Sequence, residues 1–354
     1  MSFTTVMSKS PLRFSMGGGG TDVAHYYEKR GGAWTSATIS LYVRGTLHVN
    51  GLGGCIIKYS DKVERVSDIH DIQGNDLMRE TLLFMEMDRW QHRNFPTTGI
   101  EINTFSDAPS RSGLGVSGAM TVGLLQMLHM IKDGGIPPPD VIAAEAYEIE
   151  HNRAGSTGVG WQDQLIAAHG GIATFEISTQ GEIVYEQLQL DPHTVAELQN
   201  NLILFGTKLE RLKTADQALK QVHEAPNELS EEEKVQRENK QLGYLDQIKA
   251  IGQEQLQALR SGQTVKFGAL LDEHWQVKTQ YAGEPAPEVA AAYKKARHAG
   301  ALGGKIIGAS TQGSFMFFYC PAEKAELRKI MESLGMTEIR WQFDFGRSHI
   351  AYMD

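Results

Sequence analysis

Cysteine is scarce, long apolar runs are missing and positive charge is in deficit, and each shortage removes a class of function. Cys55 and Cys320 are the only cysteines among 354 residues. At most one disulfide can form, so a bridge-stapled scaffold is excluded and a reducing compartment is the simpler expectation. No run of about 18 apolar residues occurs, and residues 1–10 lack the apolar centre of a secretory leader. The 34 lysines and arginines fall short of the 43 aspartates and glutamates, a formal net charge of -9, which gives no general attraction for nucleic acid. The expectation is a cytoplasmic protein with neither a nucleic-acid nor a membrane partner. Repeats and low-complexity segments are also missing, apart from the four glycines at 17–20. What is present is ordinary for a globular chain, 41% hydrophobic and 22% charged residues. The length suits two domains rather than one core.

β-branched and aromatic content predicts paired strands over 34–49 and 56–66, joined through the glycines at 51–54. Leu77, Leu82 and Met85 recur at helical spacing and predict a helix over 77–90, capped at 74–76. A short strand over 99–104 follows, then a helix over 116–131 that is apolar on most sides and hence buried between layers. A further helix is expected over 141–152, a hairpin from 172–177 and 182–190 turning at 179–181, and a buried strand over 202–205. The polar stretch 224–241, with Glu231, Glu232 and Glu233, reads as an exposed loop leading into a long surface helix. Pro285 and Pro287 precede a helix over 288–298, and strands at 306–308 and 315–319 flank a polar turn. A division near residue 195 gives an N-terminal domain over 1–195 and a C-terminal domain over 196–354.

The most informative segment is a Gly/Ser-rich loop entering the apolar helix: Asp107, Ala108, Pro109, Ser110, Arg111, Ser112, Gly113, Leu114, Gly115, Val116, Ser117, Gly118, Ala119. Backbone amides of such a loop, together with the helix dipole, can converge on a phosphate. Taken alone, it is equally an ordinary connection capped by Ser117. It is not a Walker loop, because no Gly-Lys-Ser/Thr ends it, and the glycines at 17–20 lack the G-x-G-x-x-G spacing of a dinucleotide fold.

Pro109-x-x-x-Gly113-Leu114-Gly115-x-Ser117-x-Ala119 resembles the phosphate-binding motif of the GHMP kinases, which phosphorylate small-molecule hydroxyls. Two further segments fall in that family's order. Residues 11–22, ending in Gly18, Gly19, Gly20, Thr21 and Asp22, are similar to its N-terminal substrate motif, and 303–313, containing Gly308 and Ser310, to its C-terminal motif. The resemblance implies an α+β, two-domain GHMP kinase fold with the active site in the cleft between domains, and ATP and Mg2+ as cofactors. The segment 158–164 resembles the one that supplies the family's catalytic aspartate, here Asp163, with Gln162 beside the acceptor and Arg13 as the basic residue at the reaction centre. A carboxylate there would orient the acceptor hydroxyl and take its proton, while a fixed cation would offset charge on the transferred group. Glu150 matches the family's Mg2+ carboxylate; Glu148 cannot join it easily, since residues two apart on a helix face differently. Thr21 and Asp22 match positions that bind sugar hydroxyls, and His25 and Tyr26 serve either that site or packing.

Two departures stand out. Gly118 occupies the place of a second serine that commonly touches Mg2+, which leaves Ser117 to take over or the metal to rely on Glu150, water and phosphate. Ser310, Thr311 and Gln312 replace glycines of the third motif. The four-glycine form of the first motif, with Gln162, Asp163 and Gln164, looks like the heptose 7-phosphate kinases. That implies phosphorylation at the anomeric hydroxyl on the route to nucleotide-activated heptose for surface polysaccharide. An acceptor phosphate would need a basic clamp, with Lys208, Arg211, Lys213, Arg111 and Lys278 as candidates. Another sugar or sugar-phosphate kinase of the family, or a catalytically impaired nucleotide- and sugar-binding regulator, remains the alternative. The partners expected are a sugar phosphate and ATP, on a monomer or homodimer.

Overall fold

The computed structural model describes residues 4–94, 98–207, 209, 214–223 and 229–354. Two sheets organise the chain. The larger has eight strands: β1 (Thr5–Gly17), β2 (Gly32–Asn50), β3 (Cys55–Tyr59), β4 (Lys62–Val66), β5 (Gly99–Ser106), β6 (Ile172–Ile177), β7 (Ile183–Gln187) and β12 (His349–Met353). The smaller runs β11 (Thr337–Ile339), β8 (Leu202–Gly206), β10 (Phe315–Tyr319), β9 (Gly303–Ile306), all antiparallel. The expected α+β class follows from helices placed around antiparallel sheets. Among the described residues of the larger sheet only β3 and β5 pair in parallel, with β4 and two helices between them in the chain.

β2 explains how the sheet is covered. Its first eight residues are all buried, whereas Ser40 onward alternates, the signature of a strand with one face left to solvent. The fully buried part pairs with β6 and the alternating part with β5, while β1 runs beside both. β1 itself, buried throughout from Ser10, had given no strand signal because Pro11 and the glycines interrupt it.

The helices are α1 (Ala24–Arg30), α2 (Asp76–Phe84), α3 (Met87–Asn94), α4 (Val116–Asp133), α5 (Pro139–Glu148), α6 (Gln162–His169), α7 (Pro192–Asn201), α8 (Ala215–His223), α9 (Glu231–Arg260), α10 (Thr264–Ala282), α11 (Pro287–His298) and α12 (Lys324–Ser333). The single helix expected over 77–90 is two, broken where Glu86 takes φ 51°. Met85 and Met87 are both buried on either side of it, and a continuous helix points residues two apart to different sides. α4 is buried on most sides, as its composition required. α9 departs from a plain surface helix. A Ser230/Glu233 capping box opens it, but Leu245, Ile248, Gly252 and Leu259 are buried. Gly252 comes so near the glycine run that a Cβ there would lie 2.5 Å from the Gly18 nitrogen.

The main hydrophobic core crosses from one sheet to the other. Phe14 of β1 meets Phe317 of β10 at a ring-centroid distance of 4.0 Å, and Trp341 closes edge-on against Phe317. The point near 195 falls in α7, between the strands of the two sheets. β12 does not follow that division: it returns from the C-terminal end to pair with β1, and Phe343 bridges to Ile39. Cys55 and Cys320 are free and buried in separate clusters. Among the described residues, no helix is long and apolar enough to cross a membrane.

Candidate active site

Arg13 joins three parts of the chain. Its backbone N–H donates to the Leu114 carbonyl at 3.0 Å, which ties β1 to the Gly/Ser loop. Its Nε and Nη2 reach Asp163 Oδ1 at 2.8 and 2.6 Å, and Nη1 donates to the Gly113 carbonyl. Arg13 is buried, so this charge-assisted pair is less screened than a surface bridge. Asp163 lies in the first turn of α6 and keeps part of its side chain open to the cavity. Gly115, with φ 79°, starts α4 directly beneath the pair: a Cβ there would stand 3.2 Å from both Arg13 Cγ and Asp163 Cγ.

Gly118 answers the question its position raises. A Cβ at 118 would come within 2.7 Å of Asp163 Cβ and 3.0 Å of the Gln164 nitrogen, so the glycine lets α4 and α6 approach closely enough to set Asp163. The hydroxyl that does stand beside Glu150 is that of Ser117, which is hydrogen-bonded to it. Glu150 sits in a π-helical turn over Ile149–Arg153 that continues α5, the kind of local bulge often found at functional sites. Gln164 Nε2 donates to its Oε2 at 2.7 Å. Burial, opposed by the Ser117 bond, and then the nearby negative charge of Asp163 push the Glu150 carboxyl up to about 7. A buried carboxylate that is costly to ionise, with a hydroxyl beside it, fits a divalent cation. Among the described residues no cluster of three or more carboxylate, His or Cys ligands exists, so Mg2+ here would depend on phosphate oxygens and water for the rest of its shell.

These groups line one cavity of about 510 Å³, within the range of small-molecule sites. Ser110, Arg111, Ser112, Gly113, Gly115, Val116 and Ser117 form one wall, and Gly19, Gly20, Asp22 and Gln162 another. Gln162 Nε2 donates to Ser15 Oγ at 3.1 Å, and Asp22 accepts from the Gly20 and Gln162 amides at 3.0 Å each. Burial raises the Asp22 pKa above its ordinary value against the Gln162 amide bond, and Asp163 adds to the rise. A second, more open hollow of about 440 Å³, over Gln199, Arg328 and Trp341, holds none of these groups.

Several expected contacts are different. Thr21 is fully buried; its one O–H proton is shared between the Gly18 and Ala33 carbonyls, 2.8 and 2.9 Å from Oγ1, and Oγ1 accepts the Ala33 amide at 3.1 Å, so it braces the turn rather than meeting a ligand. Gly18 serves the same turn, with φ 72° and no room for a Cβ against the Ala33 carbonyl. Ser310 Oγ accepts from the Gln312 amide within its own loop, and Gly308 lines the cavity together with Lys305, Ile306 and Ala309 of the same segment. Pro109, Leu114 and Ala119 shape the loop from behind: Pro109 accepts the Ser112 amide, while Leu114 and Ala119 belong to the core. Tyr26 donates to Asp246 Oδ1 at 2.8 Å and packs in a satellite core, which decides for packing. Lys208, Arg211 and Lys213 lie outside the described residues. Lys278 does line the cavity, joined by Lys305 and His274, neither of which was a candidate from the sequence. Lys305 stands inside the third motif, but nothing in its spacing separates a cavity lysine from a surface one.

The GHMP kinases N terminal domain matches residues 78–171 and the GHMP kinases C terminal domain matches residues 255–335. This chain is a GHMP kinase. A D-glycero-alpha-D-manno-heptose 7-phosphate kinase of Campylobacter jejuni is 28% identical over 334 residues, spanning 92% of this chain and 93% of its own. The crystal structure of a D-glycero-D-manno-heptose 1-phosphate kinase from Bacteroides thetaiotaomicron is 25% identical, covers 98% of this chain and 99% of that one, and superposes with a TM-score of 0.77. Lactococcus lactis galactokinase complexed with galactose shares the fold at a TM-score of 0.72 and 16% identity, over 98% and 95% of the two chains. As a GHMP kinase the protein is a phosphotransferase acting on an alcohol group, and it is a sugar kinase close to the heptose phosphate kinases.

Proposed function

We propose that this GHMP kinase transfers the terminal phosphoryl group of ATP to the anomeric hydroxyl of a heptose 7-phosphate, on the route to nucleotide-activated heptose and surface polysaccharide. The observation that carries the reading is the Arg13–Asp163 pair at the mouth of α6, facing both the Gly/Ser loop and the glycine-rich acceptor wall. The heptose acceptor is supported by the two heptose kinases that this chain resembles across almost its whole length.

In this reading the amides of 110–117 and the N-terminus of α4 receive the phosphates of ATP. Glu150 and Ser117 would hold Mg2+, which when bound neutralises charge on those phosphates. Asp22, Gln162, Gly19 and Gly20 receive the sugar. Asp163, fixed by two bonds from Arg13, orients the acceptor hydroxyl. As the new O–P bond forms and the P–O bond to ADP breaks, the hydroxyl proton passes to Asp163. Arg13 stays cationic and offsets the negative charge spreading over the transferred group. Positioning carries most of the effect, because phosphoryl transfer leaves little covalent work to the protein.

The test is Asp163→Asn. Turnover should fall by at least about 100-fold with KM for ATP nearly unchanged, the pattern of a lost acid–base and orienting group. Normal turnover in this variant would remove Asp163 from the mechanism.

A further inference from the structure

We propose that Lys305, His274 and Lys278 form a clamp for a phosphate group carried by the acceptor. The inference rests on the sugar-phosphate reading above and adds to it the residues that tell a phosphorylated acceptor from a bare sugar.

α10 presents His274, Lys278 and Tyr281 to the cavity from successive turns of one face, as a spacing of four and then three residues requires. Lys305 enters the same cavity from β9, which packs on α10. All three nitrogen-bearing side chains are nearly buried: His274 is 3% exposed, Lys278 6% and Lys305 3%. Lys278 is anchored, donating to the Ile306 and Gly308 carbonyls at 2.8 and 2.6 Å, and so fixes the strand end beside Lys305. Lys305 and His274 are unsatisfied. No ion pair or hydrogen bond engages the Lys305 ammonium among the described residues; it lies 5.9 Å from the Phe14 ring centroid. His274 Nδ1 is buried without a hydrogen-bond partner.

Two unpaired nitrogens and a held lysine, all of one sign or neutral and all on side chains that line one cavity, are expensive unless an anion arrives. Burial and then the like charge of Arg13 lower the Lys305 pKa to about 7, while burial and the two lysines hold His274 well below its ordinary range. A phosphate reverses this. Its oxygens accept from an ammonium and from an imidazole N–H together, and its charge restores the lysine's proton.

The geometry assigns this phosphate to the acceptor rather than to ATP. The Gly/Ser loop and the start of α4 already offer a cradle for the nucleotide's phosphates on another wall. The α10 row continues to Tyr281, which feels the charge of Asp22 in the acceptor wall. Arg13 acts on Lys305 and pairs with Asp163, so a ligand whose phosphate meets Lys305 has its hydroxyl end toward the catalytic pair.

The experiment uses the full chain and its Lys305→Met and His274→Leu variants, with a heptose 7-phosphate and the same heptose lacking phosphate as acceptors. Loss of one charge-assisted contact should raise KM for the 7-phosphate by about 10- to 100-fold. KM for ATP should hold, and the preference for the phosphorylated sugar should collapse. An acceptor KM that stays at the wild-type value in both variants overturns the clamp while leaving the kinase reading intact. A rise in KM for ATP alone assigns the cluster to the nucleotide and likewise overturns it. If the wild-type enzyme turns over only the bare sugar, the sugar-phosphate reading fails and the clamp with it.

Discussion

Arg13 serves three partners at the proposed reaction centre, Asp163 and Gly113 through its guanidinium and Leu114 through its backbone N–H, so it sets the distance between β1, the Gly/Ser loop and α6 as well as the orientation of Asp163. At this scale the motifs were informative where backbone spacing decides the outcome. Arg13, Asp163, Glu150 and Ser117 lie more than a hundred residues apart at the extremes and line one cavity. They misled where a hydroxyl has two possible uses. Thr21 sits at a ligand-binding position of the motif, yet its oxygen is occupied by Gly18 and Ala33, which are neighbours only after folding. Lys305 was invisible for the same reason: burial, not residue type, makes it unusual. Its pKa in the folded chain is about 7 against an ordinary 10.5, so the unfolded chain holds the proton more firmly. Between those values stability climbs with pH, and below about 7 the whole penalty of the buried charge applies. Lys305→Met should therefore raise the melting temperature most near pH 6, with the gain shrinking toward pH 10. Thermal unfolding across that range checks it; a gain independent of pH, or a loss at pH 6, would contradict it.

α4 and α6 cross where Gly118 lies under Asp163, and this contact decides how a departure from the family's serine is to be understood. Glycine here is required by packing, since any Cβ meets Asp163 and the α6 backbone. Gly118→Ser should lower kcat and melting temperature together, because added bulk in a tight crossing costs about 1–3 kcal/mol and shifts Asp163. Raised turnover in that variant would mean instead that the metal position wants the second hydroxyl. Other elements show the limits of periodicity. α4 was legible because burial on most sides writes an apolar sequence. The break at Glu86 was not, because Met85 and Met87 look like continued helical pattern until both are seen to be buried. The second half of α9 lies against β1 and β2 although its composition is mixed, since Gly252 comes against Gly18 and Leu259 joins the main core.

The cavity takes its acceptor wall and Gly/Ser loop from the eight-stranded side and its basic wall from α10 and from β9 of the smaller sheet. A core running from Phe14 to Phe317 and Trp341 joins the two, and β12 carries the C-terminal end back to β1. That return was not legible: β12 is a short strand, exposed along most of its length, and pairing over more than three hundred residues leaves no local signal. Both sides contribute charges that an acceptor phosphate and an acceptor hydroxyl would engage at once. The most direct test follows ADP release with ATP and Mg2+ across heptose 7-phosphates, hexose 6-phosphates and free sugars, with phosphorus NMR of the product. Turnover confined to a heptose 7-phosphate, with a new anomeric phosphate signal, is the predicted result. Measurable ATP binding without turnover on any acceptor would contradict it and mark the protein as a nucleotide- and sugar-binding regulator.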